Sequence, residues 1–218
     1  PKELSFYAWP KAWSQACTGF VCEGLKPGFV NSVKITVPSV IVSVALSALN
    51  GYALAFWRFR GAYFFFGLCM FGAFIPYQVM VYPLLKIEDF LGIYSSLPGI
   101  ILVHTIFGMP ILTLIFRNFY ASLPIDLFKA ARIDGAGFFK IFFKILLPIS
   151  APIIVVTVIW QFTQIWNDFL FGSTFSFGEA APIQVALNNM VLSSTSVKEY
   201  NVDMASAIIA GIPTLIVY

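Results

Sequence analysis

The sequence predicts an all-α protein, a polytopic bundle of transmembrane helices with five spans. Of its 218 residues, 59% are hydrophobic and only 11% are charged, and the mean hydropathy is +0.86. Soluble domains carry about 25% charged residues, so water is not the main solvent of this chain. Four runs without Asp, Glu, Lys or Arg are each at least 23 residues long, and about 20 residues suffice to cross a bilayer. These runs are Ile35–Trp57, Gly61–Leu85, Phe90–Phe116 and Ile145–Asn167.

Two other fold classes fit the pattern poorly. A soluble helical protein would need polar stripes along its helices, and these runs lack them. A β-barrel would show short alternating segments instead of continuous apolar ones. A fifth apolar run, Met204–Tyr218, still continues at the last residue, and the chain opens with Pro1. We therefore expect this sequence to belong to a longer protein.

The first 29 residues form a polar head in front of the first span. Tryptophan, proline and glycine recur in it, which favours loop with short helical turns. Its tryptophans suit the membrane interface. Cys17 and Cys22 could form a disulfide in an oxidising compartment. Two free thiols remain the alternative, because spacing alone does not show that the two Cα atoms are close.

The first three spans are expected to begin and bend at particular residues. Asn31 and Ser32 are suited to cap the start of span one, which ends at the turn Arg58–Arg60. Prolines kink helices in lipid because they free backbone groups. We therefore expect bends in span two and interruptions in span three. The prolines are Pro76 and Pro83 in span two, and Pro98 and Pro110 in span three, which also holds the single histidine, His104.

A short amphipathic helix is predicted between spans three and four. Ser122, Pro124 and Asp126 form a helix-start signature of hydroxyl, early proline and acid. Helical spacing continues through Leu127, Ala130 and Ala131, which we expect to be buried against a partner. The segment Gly135–Gly137 then breaks the helix. The alternative is an ordinary loop whose basic residues only satisfy topology.

The remaining elements follow from the same reasoning. The piece Phe138–Phe143 leads into span four, which contains Pro148 and Pro152 and ends at Trp166-Asn-Asp168. A Ser/Thr-rich loop then runs to Asp203, where span five begins.

Basic residues are distributed unevenly between the two sides of the membrane. With alternating spans, one pair of loops holds seven Lys or Arg, whereas the loops Lys86–Ser96 and Asp168–Asp203 hold only Lys86 and Lys198. The positive-inside rule therefore places the first pair in the cytoplasm and the head outside. The seven are Arg58, Arg60, Arg117, Lys129, Arg132, Lys140 and Lys144.

Several kinds of chemistry are disfavoured by the sequence. No Gly-Lys dipeptide occurs, so a phosphate-binding loop of the form GxxxxGK[ST] is absent. One histidine and three cysteines provide no metal-ligand spacing, and we expect neither a metal nor a catalytic residue. An ion-coupled secondary transporter is the main alternative, but the four long runs contain no charged side chain to couple an ion. No nucleic-acid partner is expected.

One segment resembles a known family signature. Membrane subunits of binding-protein-dependent ABC importers carry Glu-Ala-Ala, three residues, Gly, nine residues and Ile-x-Leu-Pro. The corresponding residues here are Lys129-Ala130-Ala131, Gly135 and Ile145-Leu146-Leu147-Pro148, so that only the first position differs. In that family the segment is the coupling helix, which sits in a groove of a cytosolic ATPase.

Other segments are similar to the carbohydrate branch of this family, such as the smaller maltose-importer permease. They are Asn31-Ser32-Val33, Tyr52-Ala-Leu-Ala55 with Arg58-Phe-Arg60-Gly61, Ile75-Pro76-x-Gln78, and Trp166-Asn-Asp-Phe169. The head resembles that of permeases of glucose/mannose-type importers. The resemblance covers the whole chain and implies the type I permease fold, with six spans in the full subunit.

This resemblance implies a domain organisation and a set of partners. Residues 1–29 would be a periplasmic head, and residues 30–218 the transmembrane permease domain with a cytosolic coupling helix at about 124–137. The protein would import a sugar of the glucose/mannose kind across the bacterial inner membrane. The expected partners are a second permease subunit, two cytosolic ATPase subunits, a periplasmic sugar-binding protein and membrane lipid. Magnesium-bound ATP would bind the ATPase subunits, and no cofactor would bind this chain.

Two sets of site residues follow from the resemblance and from the polar side chains in the spans. The residues expected to couple to the ATPase are Lys129, Ala130, Ala131, Asp134, Gly135, Ala136, Ile145, Leu147 and Pro148. The residues expected along the substrate pathway are Gln78, Tyr82, Gln164, Trp166, Asn167 and Asp168, with Asn50 and Gln161 as further candidates. Interhelical hydrogen bonding is the alternative role for each of these polar side chains.

Overall fold

A computed structural model of the chain describes residues 6–18, 21–57, 59–192 and 198–218, which contain helices and no strand. Twelve α-helices are present in this part of the chain, together with one π-helical and one 3₁₀ segment. The α-helices are α1 Ala8–Ser14, α2 Lys26–Phe56, α3 Ala62–Phe74, α4 Tyr77–Phe90, α5 Leu97–Ala121, α6 Ile125–Ile133, α7 Phe138–Ile141, α8 Leu147–Ile149, α9 Ala151–Trp166, α10 Leu170–Phe175, α11 Ile183–Leu192 and α12 Tyr200–Val217. The π-helix is Phe142–Leu146 and the 3₁₀ turn is Gly178–Ala180.

Five candidate membrane spans correspond to the five apolar runs of the sequence. Helices α2, α5 and α12 are each long and apolar enough to cross a membrane. Two further spans are bent pairs, α3 with α4 at 107°, and Phe138–Ile149 with α9 at 79°. The all-α transmembrane fold is thus confirmed, with two of the spans broken.

Helix α2 begins earlier than predicted. Asn31 and Ser32 lie inside it and do not cap it, because the helix starts at Lys26 with Pro27 in its first turn, where proline is favoured. Their side chains instead bind the later segment in front of α11. The Asn31 amide donates to the carbonyl of Glu179 at 2.5 Å, and the Ser32 hydroxyl accepts from the backbone N–H of Ile183 at 2.8 Å.

The predicted proline effects differ from site to site. Ile75 is extended, with φ −65° and ψ 133°, because the following Pro76 disfavours helical backbone at that position. This residue separates α3 from α4. Pro83 and Pro110 lie inside α4 and α5 without ending them, and Pro98 occupies the first turn of α5. Span three is therefore continuous, contrary to the interruption we predicted.

Helix α4 extends into the predicted connection Lys86–Ser96. It continues to Phe90, because Leu84 and Glu88 are buried and hold the last turn against the rest of its unit. Glu88 is only 1% exposed, and neither of its carboxylate oxygens has a hydrogen-bond partner among the described residues. This buried acid lies beyond the charge-free run that defined span two, so the hydropathy pattern did not identify it.

The described chain divides into two compact units. The first comprises Pro1–Pro38, Pro83–Val103 and Phe162–Tyr218, and the second comprises Ser39–Tyr82 and His104–Gln161. In the first unit, α1 packs on α12 around small and aliphatic side chains, with the Trp166 ring in the same cluster. Cys17 and Cys22 are joined in a disulfide in this unit, and the free thiol of Cys69 in the second unit is buried.

The predicted loop between Asp168 and Asp203 is largely helical. Helices α10 and α11 occupy it, and α12 starts at Tyr200, three residues before the predicted start of span five. Amphipathic packing explains these helices, since α11 buries Ile183, Ala186 and Met190 in the core of the first unit. The most Ser/Thr-rich part, residues 193–197, lies outside the described residues, as does Arg58.

Candidate functional site

Helix α6 is the helix predicted between spans three and four, but it is shorter than residues 124–137. It covers nine residues, Ile125–Ile133, with Asp126 in the first turn and Arg132 in the last, which complements the helix dipole. Gly135 ends it with φ +72°, a left-handed conformation that glycine adopts without strain. The N–H of Ala136 then donates to the carbonyl of Ala131 at 3.0 Å.

The buried face of α6 differs from the predicted one. Phe128 and Ala131 are buried, whereas Leu127 is 40% exposed and Ala130 is also exposed. Ala131 is thus covered within the chain, whereas Leu127 and Ala130 are accessible, and their predicted burial against a partner stays a prediction. Phe128 is the large buried side chain of α6, and it reaches an aromatic cluster.

This aromatic cluster joins α6 to the carboxyl end of α2. The Phe128 ring stacks on Phe56 with the centroids 4.8 Å apart and packs edge-on against Trp57 at 5.9 Å. Tyr52 lies 6.5 Å from the same ring. Aromatic pairs at such distances add to the free energy gained from burial alone.

The same cluster extends to the segment that follows α6. The Tyr52 side chain is fully buried, and its ring lies 4.6 Å from Phe138 and 5.7 Å from Phe142. Its hydroxyl donates to the carbonyl of Phe138 at 3.3 Å. Tyr52 therefore contacts α6, α7 and the π-helix at once. Sequence reasoning missed this cluster; its only signal was the number of aromatic residues at the end of span one and around Gly135.

The charged side chains of α6 have partners within the chain. The Lys129 ammonium lies 3.3 Å from a carboxylate oxygen of Asp126, one turn earlier. The guanidinium of Arg132 lies 5.2 Å from the Trp57 ring centroid and 5.9 Å from that of Phe128. Both cations thus face groups of their own unit. Asp134 and Gly135 are exposed beyond the helix end, and Ala136 is half-buried.

A small apolar groove lies beside α6. All the side chains that line it are apolar. They come from the carboxyl end of α2, the turn before α6, α6 itself, α7 and the π-helix. They are Phe56, Leu123, Pro124, Leu127, Phe128, Ile141, Ile145 and Leu146. The groove adds apolar surface beside this helix.

The predicted residues Ile145, Leu147 and Pro148 lie at a bend between the π-helix and α9. π-Helical turns are rare and recur at functional sites. Ser150 separates α8 from α9, and its hydroxyl donates to the carbonyl of Leu146 at 2.6 Å and lies 3.1 Å from the Tyr120 hydroxyl oxygen. Ile145 and Leu147 are half-buried, and Pro148 is exposed.

In the second unit, the substrate-pathway candidates of α4 are accessible. Gln78 and Tyr82 lie one turn apart and are both exposed. Gln161, by contrast, is buried, and its amide donates to the backbone carbonyl of His104 at 3.3 Å. A Cβ atom at Gly108 would overlap this amide, so Gln161 packs helices together. Asn50 is half-buried.

In the first unit, the candidates around the end of α9 have different environments. Gln164 and Asn167 are exposed. Trp166 is only 2% exposed, and its indole N–H donates to the carbonyl of Ala210 at 2.9 Å. The Trp166 indole thus packs within the first unit, and its role on the substrate pathway stays a prediction.

Asp168 lies just before α10 and caps it. One of its carboxylate oxygens accepts the backbone N–H of Gly172 at 2.9 Å. Burial raises the pKa of this carboxyl to about 6, although hydrogen bonds from the backbone of α10 oppose the shift. No group of three His, Cys, Asp or Glu side chains that could hold a metal ion occurs in the part of the chain that the structure describes.

Residues 35–218 match the family described as binding-protein-dependent transport system inner membrane component. Among curated proteins, the chain is 48% identical over 151 residues to a probable ABC transporter permease protein of Pyrococcus horikoshii, covering 69% of this chain and 54% of that protein. It is 36% identical over 220 residues to the xylose/arabinose import permease protein of Haloferax volcanii, covering 91% of this chain and 71% of that protein. These relatives are transport permeases, and the chain spans between about half and seven tenths of their length.

A solved structure shares the fold. It is the crystal structure of a bacterial ABC transporter involved in the import of the acidic polysaccharide alginate. The TM-score is 0.82 at 22% sequence identity, and the match covers 100% of this chain and 79% of the other. At this identity the likeness establishes the fold, which is the type I permease fold predicted from the resemblance.

Proposed function

Because this chain belongs to the family of inner membrane components of binding-protein-dependent transport systems, we propose that it is one permease subunit of an ATP-driven importer. The observation that carries the proposal is helix α6, a short exposed helix held by an aromatic cluster between two candidate spans. Its sequence has the spacing of the family's coupling segment from Lys129 to Pro148. Hydrolysis of ATP would take place on a separate cytosolic subunit, since this sequence has no phosphate-binding loop.

The working assembly would contain several other proteins. We assign to it a second permease subunit, two cytosolic ATPase subunits and a periplasmic substrate-binding protein, in the inner (plasma) membrane of a bacterial cell. Magnesium-bound ATP would be held by the ATPase subunits, and this chain would carry no cofactor. Residues 1–29 would form the periplasmic head and residues 30–218 the permease domain, with α6 facing the cytoplasm.

The transported substrate is proposed to be a carbohydrate. The Haloferax volcanii relative is named for xylose and arabinose, and it aligns with 91% of this chain. The narrower prediction of a glucose/mannose-like sugar depends on the resemblance of the head alone and stays a prediction. The exposed side chains Gln78, Tyr82, Gln164 and Asn167 are the candidates for contact with the sugar pathway, because their polar or aromatic groups are accessible in this chain.

The geometry around α6 indicates how force would enter the permease. A partner that pushes on α6 would move Phe128 within its aromatic cluster, and through Tyr52 and Phe138 it would also move the first turn of α7. The bend at Ser150 would then redirect this motion into α9. The spans would alternate between inward-open and outward-open states as the ATPase pair closes and opens.

The test uses two substitutions at the proposed coupling segment in the assembled transporter. Ala130→Glu adds a charge to an exposed position of α6, and Gly135→Val places a β-branched residue at φ +72°. Both variants should insert in the membrane, retain ATP hydrolysis and lose transport. If both variants show normal sugar-stimulated hydrolysis and normal uptake, the coupling role is wrong. Uptake that depends on a proton or sodium gradient and not on ATP would favour a secondary transporter.

A further inference from the structure

The charged residues of α6 are balanced and already engaged. Between positions 125 and 135 the helix and its end carry Asp126, Lys129, Arg132 and Asp134, two acids and two bases. Lys129 pairs with Asp126, and the Arg132 guanidinium lies over the Trp57 ring. A partner that offered an acid to Lys129 would therefore compete with a pair that already exists within the helix.

Two apolar residues at the ends of α6 are exposed. Ile133, the last residue of the helix, is 85% exposed, and Ile125 at the other end is also exposed. The space beside Gly135, two residues later, is open, because a Cβ atom added there would meet no atom within 4 Å apart from the chain neighbours. Burial of a large aliphatic side chain contributes more free energy than an exposed ion pair does. The largest gain available to a partner at this helix therefore comes from covering Ile133.

We propose that α6 docks on its partner through an apolar contact centred on Ile133, and that Lys129 supplies no essential ion pair. This inference rests on the proposed function, in which the partner is the separate ATPase subunit. That subunit would offer an apolar pocket to Ile133, which is 85% exposed in this chain. The acid found at the first position of the family signature is then replaced by a lysine without loss of docking.

Lipid fits this surface less well than protein does. Helices that lie on a membrane carry a continuous apolar face and a polar face rich in Lys and Arg. Helix α6 has only nine residues, and the exposed acids Asp126 and Asp134 flank its two exposed isoleucines. Anionic headgroups would repel these acids, whereas a shaped protein pocket can cover Ile133 and leave them in water.

The test measures binding of the purified ATPase subunit to the permease complex in lipid nanodiscs at low and high salt. An apolar contact should lose about threefold or less in affinity between about 0.05 and 0.5 M salt, because screening acts only on charges. Ile133→Ser should weaken binding about tenfold or more at both salt concentrations, and the conservative Ile133→Val should restore most of the affinity. Lys129→Gln should lower the binding affinity about threefold or less, which is a smaller loss than that of Ile133→Ser.

Three other outcomes have distinct meanings. If Lys129→Gln abolishes binding while Ile133→Ser does not, or if wild-type binding collapses at high salt, the docking is ionic and this inference is wrong. If the wild-type complex binds no ATPase at any salt concentration, the proposed function itself fails. A polarity-sensitive dye on Ile133→Cys, whose only other free thiol is the buried Cys69, should report water in the isolated permease. A lipid-like signal would place α6 on the membrane and overturn the proposal.

Discussion

The guanidinium of Arg132 lies 5.2 Å from the centroid of the Trp57 ring. This cation–π contact connects the last turn of α6 to the residue that follows α2, and it adds a charged contact to the aromatic contacts that hold α6. Such contacts contribute about 0.5–2 kcal/mol, depending on how far they are removed from water. The orientation of the proposed docking helix thus depends partly on the charge of Arg132.

Removing that charge should loosen α6 without unfolding the protein. Arg132→Gln should reduce the amount of sugar transported per ATP hydrolysed, because the helix end is less well held when the ATPase pushes on it. The measurement is uptake and hydrolysis in the same proteoliposomes. Arg117→Gln is a matched control, since the Arg117 guanidinium lies 4.9 Å from the Phe66 ring, away from α6. Equal losses in both variants would contradict the specific role of the Arg132–Trp57 contact.

The aromatic cluster should contribute strongly to stability at Phe128 and weakly at the Tyr52 hydroxyl. Phe128→Ala empties a buried ring position and should lower the free energy of unfolding by about 3–5 kcal/mol. Tyr52→Phe keeps the ring and removes one hydrogen bond to the Phe138 carbonyl, which should cost about 1 kcal/mol. Thermal unfolding in detergent compares the two variants with wild type. If Tyr52→Phe lowered the free energy of unfolding as much as Phe128→Ala, the hydroxyl would contribute as much to stability as the buried ring, which would contradict the prediction.

Glu88 should be a site where a neutral residue stabilises the fold. Its buried carboxylate oxygens have no hydrogen-bond partner within the described residues, and burial of an unpaired charge is costly. Glu88→Gln keeps the shape, removes the negative charge and should raise the unfolding temperature at neutral pH. Asp89→Asn changes the same charge at the exposed neighbouring position and should have a much smaller effect. A fall in unfolding temperature for Glu88→Gln would contradict this account of the buried carboxyl group.

The stability contributed by Asp168 should depend on pH. Burial raises the pKa of its carboxyl from 3.8 to about 6 in the folded protein, so folding favours the protonated form. This contribution is complete below about pH 4 and is lost as the pH rises through about 6. The advantage of Asp168→Asn over wild type, measured as a difference in unfolding temperature, should therefore grow between about pH 4 and pH 6 and stay constant at higher pH.

The cap role of Asp168 provides a control. Asp168→Ala removes the hydrogen bond from the Gly172 N–H. Its free energy of unfolding should be lower than that of Asp168→Asn at every pH, by about 0.5–2 kcal/mol. If the difference between Asp168→Asn and wild type is independent of pH, the carboxyl does not change its protonation state in this range.

The fold could be predicted largely from the sequence because hydropathy and proline are local signals. Each apolar run corresponds to a helix or to a bent pair, and the break before Pro76 follows from steric restriction of Ile75. Helix starts were less certain. Asn31 and Ser32 have the composition of a cap, but their side chains bind a segment about 150 positions later, which no local pattern reveals.

The candidate site could be predicted only in part. The spacing from Lys129 to Pro148 identified α6 as the candidate coupling segment, whereas the burial of Phe128 depends on residues 52–57 and could not be predicted from the helix alone. Trp166 and Gln161 looked like pathway residues because polar groups in apolar runs are conspicuous. Each donates instead to a backbone carbonyl, a pairing that only the tertiary structure shows.

The central claim is that the partner ATPase covers α6 in the working transporter, and accessibility at Ala130 tests it directly. Ala130 is exposed in this chain, so an Ala130→Cys variant of the isolated permease should react quickly with a water-soluble maleimide. In the assembled transporter the rate should fall about tenfold, as expected for a side chain that is buried by docking, and it should recover when the ATPase is stripped away. An equal, fast rate with and without the ATPase, in every nucleotide state, would contradict the account.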